Sequence, residues 1–544
     1  MEKEAWWYKI YRIFCRTPFL TGLLIMMIAL VIASYLQLHD AFADPDSFYH
    51  ARMATLVADK GFFTQFPWLP FTSLSENYIN QHFLYHVILI PFVSIADPLV
   101  GIKVATILLT AVMAGMFYGL LRSFQVRWAF VFTLLLLFVN PFMFRMGLPK
   151  APVLGVTLLL AGLWLVFHFR AKWAFVYSWI FVWVYGGFSL LLVCTAVFCL
   201  VGLVRYWILH QSDSRSLLTR LHEQYDRWRH HEASWRLYIT IGLAVGGGML
   251  AGLLLNPSFP HNIRFYEYQL FKIGIINAQH SIGVGGEWYP YHIGELIPTT
   301  IFVSIVVVLG IFGMALQLRK QSVRSWTLFL LTIFFFLLTL KSKRYVEYYV
   351  PIGMLFGAFS ISDALSGKAG KALLRDVVAG WRHSVLSKTV AVIILAYVVI
   401  GVVGVGVRDL RNVRRDLAGG QDASTLSGVG TWLKANAPSD EIVVHSDWDE
   451  FPLLFYYDPS HRYIAGLDPT FLYAHDEDRY WAWVDLTTGK SDPSTVSTTL
   501  RDTFHASYVV VTKDHVAMDR LVDGTEGVSL VYEDKEAKIY AVAP

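Results

Sequence analysis

Apolar runs of about twenty residues recur along the chain, separated by short loops that alternate between basic and base-poor. Runs of that length match the hydrocarbon thickness a helix must cross. About 11 spans are expected, near residues 17–36, 98–121, 128–144, 151–168, 173–186, 188–206, 237–256, 298–317, 325–341, 345–363 and 389–408. Segment 81–97 is apolar but short and holds Pro91, and counting it as a span would place later basic loops on the wrong side. It reads as an interfacial or re-entrant helix. Beyond residue 408 the pattern changes. Turn clusters (Gly419-Gly420, Asn436-Ala437-Pro438, Asp458-Pro459) frame an expected helix at 424–435 and strands at 441–445, 508–512 and 529–532. The expected architecture is a polytopic α-helical membrane domain, 1–408, with outer loops 37–97 and 257–297, followed by an extracytoplasmic α/β domain, 409–544.

Composition agrees with this class. Of 544 residues, 55% are hydrophobic and 16% charged, against about 25% charged in an ordinary soluble domain. Cys15, Cys194 and Cys199 lie in or beside expected spans, so no disulfide framework is implied. The first span, preceded by Lys3, Lys9, Arg12 and Arg16 and followed by no small-residue cleavage site, reads as a retained signal anchor. Lysine and arginine concentrate in cytoplasmic loops of membrane proteins. Here they fill every second loop: Arg122 and Arg127, Arg170 and Lys172, six arginines from Arg205 to Arg236, Arg319 to Arg324, and Lys368 to Lys388. That pattern puts the N-terminus in the cytoplasm and the C-terminal domain outside a cytoplasmic (inner) membrane. The arginine-rich loop 205–236 sits between two spans and is balanced by acids, so it reads as topogenic and implies no nucleic-acid partner.

The base-poor side carries four polar clusters. Asp44-Pro45-Asp46 follows the first span, where carboxylates are costly and tend to mark a site, or else cap a helix. Glycines around Glu287 (281–290, ending Glu287-Trp288-Tyr289-Pro290) suit a loop that folds over a substrate, or a connector with one solvated acid. Lys341, Lys343 and Arg344 oppose the charge bias, as phosphate-binding cations or as side chains snorkelling to lipid headgroups. Asp447-Trp448-Asp449-Glu450 follows an expected strand, as a recognition site or a turn with surface acids. His82 and His86 share a helix face, but with no Glu between them metal ligation is not expected.

In this order the clusters resemble the catalytic subunit of oligosaccharyltransferases, within the GT-C superfamily of polyprenol-dependent membrane glycosyltransferases. Asp46 to Arg52 is similar to that family's first-loop acidic motif, and 281–287 with Pro290 to its Ser-Val-x-Glu loop. Arg344-Tyr345, Tyr348 and Pro351 resemble its Arg-Phe…Tyr-x-x-Pro segment, and Asp447-Trp448-Asp449 its Trp-Trp-Asp acceptor site. The resemblance implies catalytic roles for Asp46 and Glu287, and donor-phosphate binding by Arg344. It implies acceptor contact by Trp448, Asp449 and Asp447, and a divalent cation, Mn or Mg, on Asp46, Asp44 and Glu287. It also implies a polyprenyl-linked sugar donor and a protein, lipid or glycan acceptor at the bilayer.

Three departures reshape that expectation. The second acidic motif is replaced by Phe144-Arg145-Met146-Gly147-Leu148-Pro149-Lys150, so Lys150 or Arg145 is expected to meet the donor phosphate, with weak dependence on a metal. Asp447 stands where a Trp is expected, and Glu450-Phe451 where Tyr-Gly is expected, which speaks against a standard sequon site. Only one span lies where bacterial single-subunit members have three. The expected activity is sugar or oligosaccharide transfer to an extracytoplasmic acceptor; the rivals are transfer to a lipid or envelope glycan, and a non-catalytic polysaccharide-assembly or transport protein. A transporter should carry charges near the midplane, whereas these sit at the rim.

Overall fold

The computed structural model describes residues 17–211, 233–276, 281–366 and 385–544. The N-terminal bases Lys3 to Arg16, Cys15, most of the loop 205–236, His280 and the basic stretch 368–382 lie outside the described residues. Helix α1 (Pro18–Gln37) starts on a proline, whose missing N–H would be unsatisfied in a first turn anyway. After the short strand β1 (Ala41–Phe42) come α2 (Asp46–Lys60), α3 (Phe83–Ile95) and α4 (Pro98–Ser123). Asp97 caps α4 by accepting the N–H groups of Leu99 at 2.9 Å and Val100 at 3.2 Å. At 13 residues, α3 rises about 20 Å, short of the roughly 30 Å hydrocarbon core. This fits the non-spanning helix read from the sequence.

The expected span at 128–144 is broken. Helices α5 (Ala129–Leu136) and α6 (Asn140–Gly147) meet at 71°, because Asn140-Pro141 starts a new helix and Pro141 cannot donate back to the old one. Next come α7 (Pro152–Phe167), α8 (Ala171–Val184), α9 (Ser189–Gln211) and α10 (Trp235–Leu254). A second bend of 91° separates α11 (Ile293–Thr299) from α12 (Ile301–Leu316). Helices α13 (Val323–Lys341), α14 (Val346–Ser366) and α15 (Val385–Ala418) complete the bundle. Among the described residues seven helices are long and apolar enough to cross a membrane, or nine if each bent pair is one span. Every expected span is helical, but α7 and α8, at 16 and 14 residues, fall short of a full crossing.

Small residues let the helices approach closely. A Cβ on Gly248 of α10 would lie 2.1 Å from the Phe175 carbonyl of α8, and one on Gly357 of α14 would lie 2.4 Å from the Val306 carbonyl of α12. Threonine hydroxyls inside the bundle are satisfied locally, as Thr106, Thr157, Thr195 and Thr332 each donate to the carbonyl four residues back.

Helix α15 runs past the expected boundary at 408 and feeds β2 (Gln421–Asp422), which pairs antiparallel with β1, Ala41 opposite Asp422. Gly420 is obligatory there, since a Cβ would lie 2.1 Å from the Phe42 carbonyl oxygen. The C-terminal unit then places α16 (Ser427–Asn436), β3 (Ile442–His445), α17 (Phe451–Tyr457), β4 (Arg462–Tyr463), β5 (Ala506–Thr512), β6 (Val528–Glu533) and β7 (Ala537–Val542). Its sheet has the order β4-β3-β5-β7-β6, with β4, β3 and β5 parallel and β5, β7 and β6 antiparallel. The aromatic face of α17 packs on α2 and the loop after it: Tyr456 meets Phe48 with ring centroids 5.7 Å apart, and Phe455 meets Phe66 at 5.5 Å. Trp68 Nε1 donates to the Pro459 carbonyl at 2.7 Å.

Candidate active site

The ribbon formed by β1 and β2 delivers the chain to Asp44-Pro45-Asp46. Asp44 Oδ1 accepts the N–H of Asp46 at 3.0 Å, and α2 begins there with one carboxylate in its first turn. The break between α6 and α7 brings a cation opposite. Lys150 Nζ donates to Asp44 Oδ2 at 2.6 Å and to Asp46 Oδ2 at 3.0 Å. Burial works against the lysine charge, but Asp44, Asp46 and Glu287 outweigh it and hold the ammonium above its ordinary range. Asp46 moves the other way. Burial, then the negative charges of Asp44 and Glu287, raise its carboxyl above the usual value despite Lys150, which makes it a stronger base.

A second ionic group stands beside the first. Glu287 accepts from Arg145 Nη1 through Oε2 and from Arg344 Nη1 through Oε1 at 2.7 Å. Arg145 turns its Nε (3.0 Å) and Nη2 (2.9 Å) to Oε2 of the fully buried Glu347. Burial would push the Glu287 carboxyl up, yet Arg145, Arg344 and Lys150 hold it well below the usual carboxylate range. The loop is pinned from behind: Ser342 Oγ donates to the Glu287 carbonyl at 2.9 Å, and the Lys343 N–H donates to that of Tyr289 at 2.9 Å. The Arg344 guanidinium lies over the Trp288 ring, 4.9 Å from its centroid.

These groups line one cavity of about 460 Å³. Asp44, Asp46, Arg145, Lys150, Glu287, Arg344, Trp448 and Asp449, each singled out from the sequence, all face it. Asp447 does not line it. Its carboxylate caps the following turn at the Asp449 N–H (3.2 Å) and lies 3.9 Å from His515 Nε2, within the C-terminal domain. Glu450, the departure next to it, is buried and accepts from the Ser446 N–H and hydroxyl and from Thr512 Oγ1. Trp448 reaches the glycine loop, where a Cβ on Gly285 would lie 3.6 Å from its indole.

Sequence reasoning missed three features. Glu347 reads as one more helix acid three residues past Arg344, with no signal that it is buried. Asp468 sits in a Gly-Leu-Asp-Pro turn; it lines the cavity, and burial raises its carboxyl to about 7. Burial, then Asp447, Asp46 and Asp44, raise Asp449 to about 8. The third is a histidine cluster. His82 and His86 of the α3 region meet His50 of α2, with His50 Nδ1 2.9 Å from His86 Nε2, and burial pushes the His82 imidazole down to about 3. His50 and His82 line the cavity as neutral imidazoles.

A divalent cation of the kind the family resemblance implies does not fit these residues as they stand. Such ions take several oxygen ligands at roughly 2.0–2.6 Å. Here the Asp44 and Asp46 oxygens that face each other share an ammonium, and Glu287 is committed to two guanidiniums. Among the described residues no group of three His, Cys, Asp or Glu side chains is disposed to hold a metal.

No family model and no curated protein matches the chain in sequence. Solved structures do match its fold. The oligosaccharyltransferase AglB from Archaeoglobus fulgidus, in complex with an inhibitory peptide and a dolichol-phosphate, aligns with a TM-score of 0.62 at 13% identity, over 99% of this chain and 75% of that one. ArnT from Cupriavidus metallidurans, bound to undecaprenyl phosphate, aligns with a TM-score of 0.54 at 14% identity, over 96% and 98%. The mycobacterial arabinofuranosyltransferase AftD gives 0.55 at 13% identity, over 96% of this chain and 40% of that one. The chain therefore has the GT-C fold: a multi-pass helical domain with a small C-terminal sheet domain.

Proposed function

We propose that this protein is an inverting membrane glycosyltransferase, which takes a sugar from a polyprenyl-phosphate-linked donor and passes it to an acceptor on the extracytoplasmic face. The observation that carries this reading is the meeting, in one cavity, of a base-like carboxylate, three cations and an indole-carboxylate pair from the outer domain. The GT-C fold supports it, since the structures it resembles include proteins in complex with polyprenyl phosphates.

In this reading Asp46 accepts the proton of the acceptor nucleophile as that atom bonds to the anomeric carbon. The bond from that carbon to the phosphate oxygen breaks, the electron pair leaves with the phosphate, and one displacement inverts the centre. Arg344, with Arg145 beside it, stabilises the departing charge. Trp448 and Asp449 hold the acceptor. Lys150 fixes the two aspartates as a resident ammonium, so turnover needs no added metal. Acceptor transfer to protein, lipid or glycan is decided by the assay. Purified protein is given a polyprenyl-phosphate-linked sugar and acceptors of each class, and products are read by mass spectrometry. Asp46→Asn is expected to lower turnover by about 10²–10⁴-fold while the protein stays folded. Near-normal turnover of that variant would remove Asp46 from the mechanism, and no transfer from any donor by wild type would refute the reading.

A further inference from the structure

Two arginines from separate elements point at a single carboxylate. Arg145 Nη1, from α6, and Arg344 Nη1, from the turn before α14, donate to opposite oxygens of Glu287. Guanidinium N–H groups that converge in this way define the position of an anion, and a phosphate presents oxygens in the same fork geometry as a carboxylate. We infer that Glu287 is a placeholder: its carboxylate occupies the seat of the donor phosphate and is displaced when the lipid-linked donor arrives. This deepens the donor-site reading above and rests on it.

The surroundings suit an exchange. Arg145 keeps its two bonds to buried Glu347 when Glu287 leaves, so its orientation survives and only Nη1 changes partner. Arg344 stays stacked over Trp288. The Glu287 backbone is held by Ser342, so the exchange needs only rotation of the side chain. Glu287 lines the cavity of about 460 Å³, which gives its side chain open space to turn into. Lys150, whose charge already acts on Glu287, offers the displaced carboxylate a second cation across the cavity. The exchange keeps both guanidiniums neutralised at every stage, which avoids stranding buried charge. It also sets a threshold: a neutral lipid lacks the anion required to displace Glu287, so the site selects a phosphorylated carrier.

The test measures binding of undecaprenyl phosphate, with undecaprenol as the uncharged control, to full-length protein in nanodiscs. Glu287→Gln removes the competing charge and is expected to tighten phosphate-dependent binding by about tenfold, the scale of one charge-assisted hydrogen bond. Glu287→Asp is one methylene shorter, cannot span both arginines, and should tighten binding by a smaller factor. Arg344→Gln should weaken it by about tenfold on the same scale. If wild type binds the phosphate and both Glu287 variants bind equally or more weakly, the placeholder is refuted while the donor-site reading stands. If wild type shows no preference for the phosphate over undecaprenol, the donor-site reading fails, and the placeholder with it.

Discussion

Replacing Lys150 with alanine tests the cation that stands between the two aspartates. The ammonium is buried and bonds Asp44 at 2.6 Å and Asp46 at 3.0 Å. Its loss leaves two carboxylates, two residues apart at the start of α2, without the ammonium they share. Stranding a fully buried ion costs about 3–5 kcal/mol. The Asp44 and Asp46 side chains retain 19% and 31% exposure, and one of them can take up a proton, so the expected loss for Lys150→Ala is about 2–3 kcal/mol. Thermal unfolding of the solubilised protein reads that loss. Turnover measured with and without EDTA reads the function: wild type should be indifferent to the chelator, and the variant inactive. The vacated position faces two carboxylates, so Mn²⁺ should raise the melting temperature of Lys150→Ala and leave that of wild type unchanged. Inactivation of wild type by EDTA with recovery on Mn²⁺ would refute the reasoning, as would a variant with wild-type stability.

Two further outcomes follow from named contacts. Asp449 is held near 8 and Asp468 near 7, against about 4 in an unfolded chain. In that window the folded state binds protons that the unfolded state has released, so these groups make stability fall as pH rises from about 4 to 8. Asp449→Asn should flatten that decline in melting temperature measured across pH 5–9, and an unchanged slope would refute the assignment. Gly248→Ala would press a Cβ 2.1 Å from the Phe175 carbonyl, whereas Gly246→Ala meets only Leu192 Cδ1 at 3.9 Å. The first should cost about 1–3 kcal/mol and the second nothing measurable in the same unfolding assay; equal effects would contradict the packing.

Much of the bundle is legible because a span has few ways to bury twenty apolar residues. Length and composition locate the apolar spans, but 128–144 reads as one run although Asn140-Pro141 parts it into α5 and α6, and the less apolar α2 carries no such signal. They do not report depth: α7 and α8 match spans in pattern but are shorter than the hydrocarbon core, since hydropathy counts apolar residues and ignores where a helix stops. In the C-terminal domain β3 and β5 stand out as apolar runs. The two-residue strand β4 was missed because its Arg462 and Tyr463 carry no alternation to read, and β7 because its Lys538 and Tyr540 interrupt the apolar signal. In the site, Lys150 and Arg145 are visible as cations where an acid is expected. Their partners are another matter. Glu347 lies 202 residues from Arg145, and nothing local in a helix records so distant a contact. Asp447 shows the converse, since adjacency to Trp448 and Asp449 did not bring it into the cavity.

The ribbon of β1 and β2 ties the entry to the C-terminal domain to Ala41 and Phe42, two residues short of Asp44. Lys103 reinforces it, donating to the Ala41 carbonyl at 2.9 Å and lying 4.3 Å from the Phe42 ring centroid. The C-terminal domain therefore cannot tilt without dragging the aspartates along. Trp448 and Asp46, though some 400 residues apart in sequence, behave as one rigid jaw.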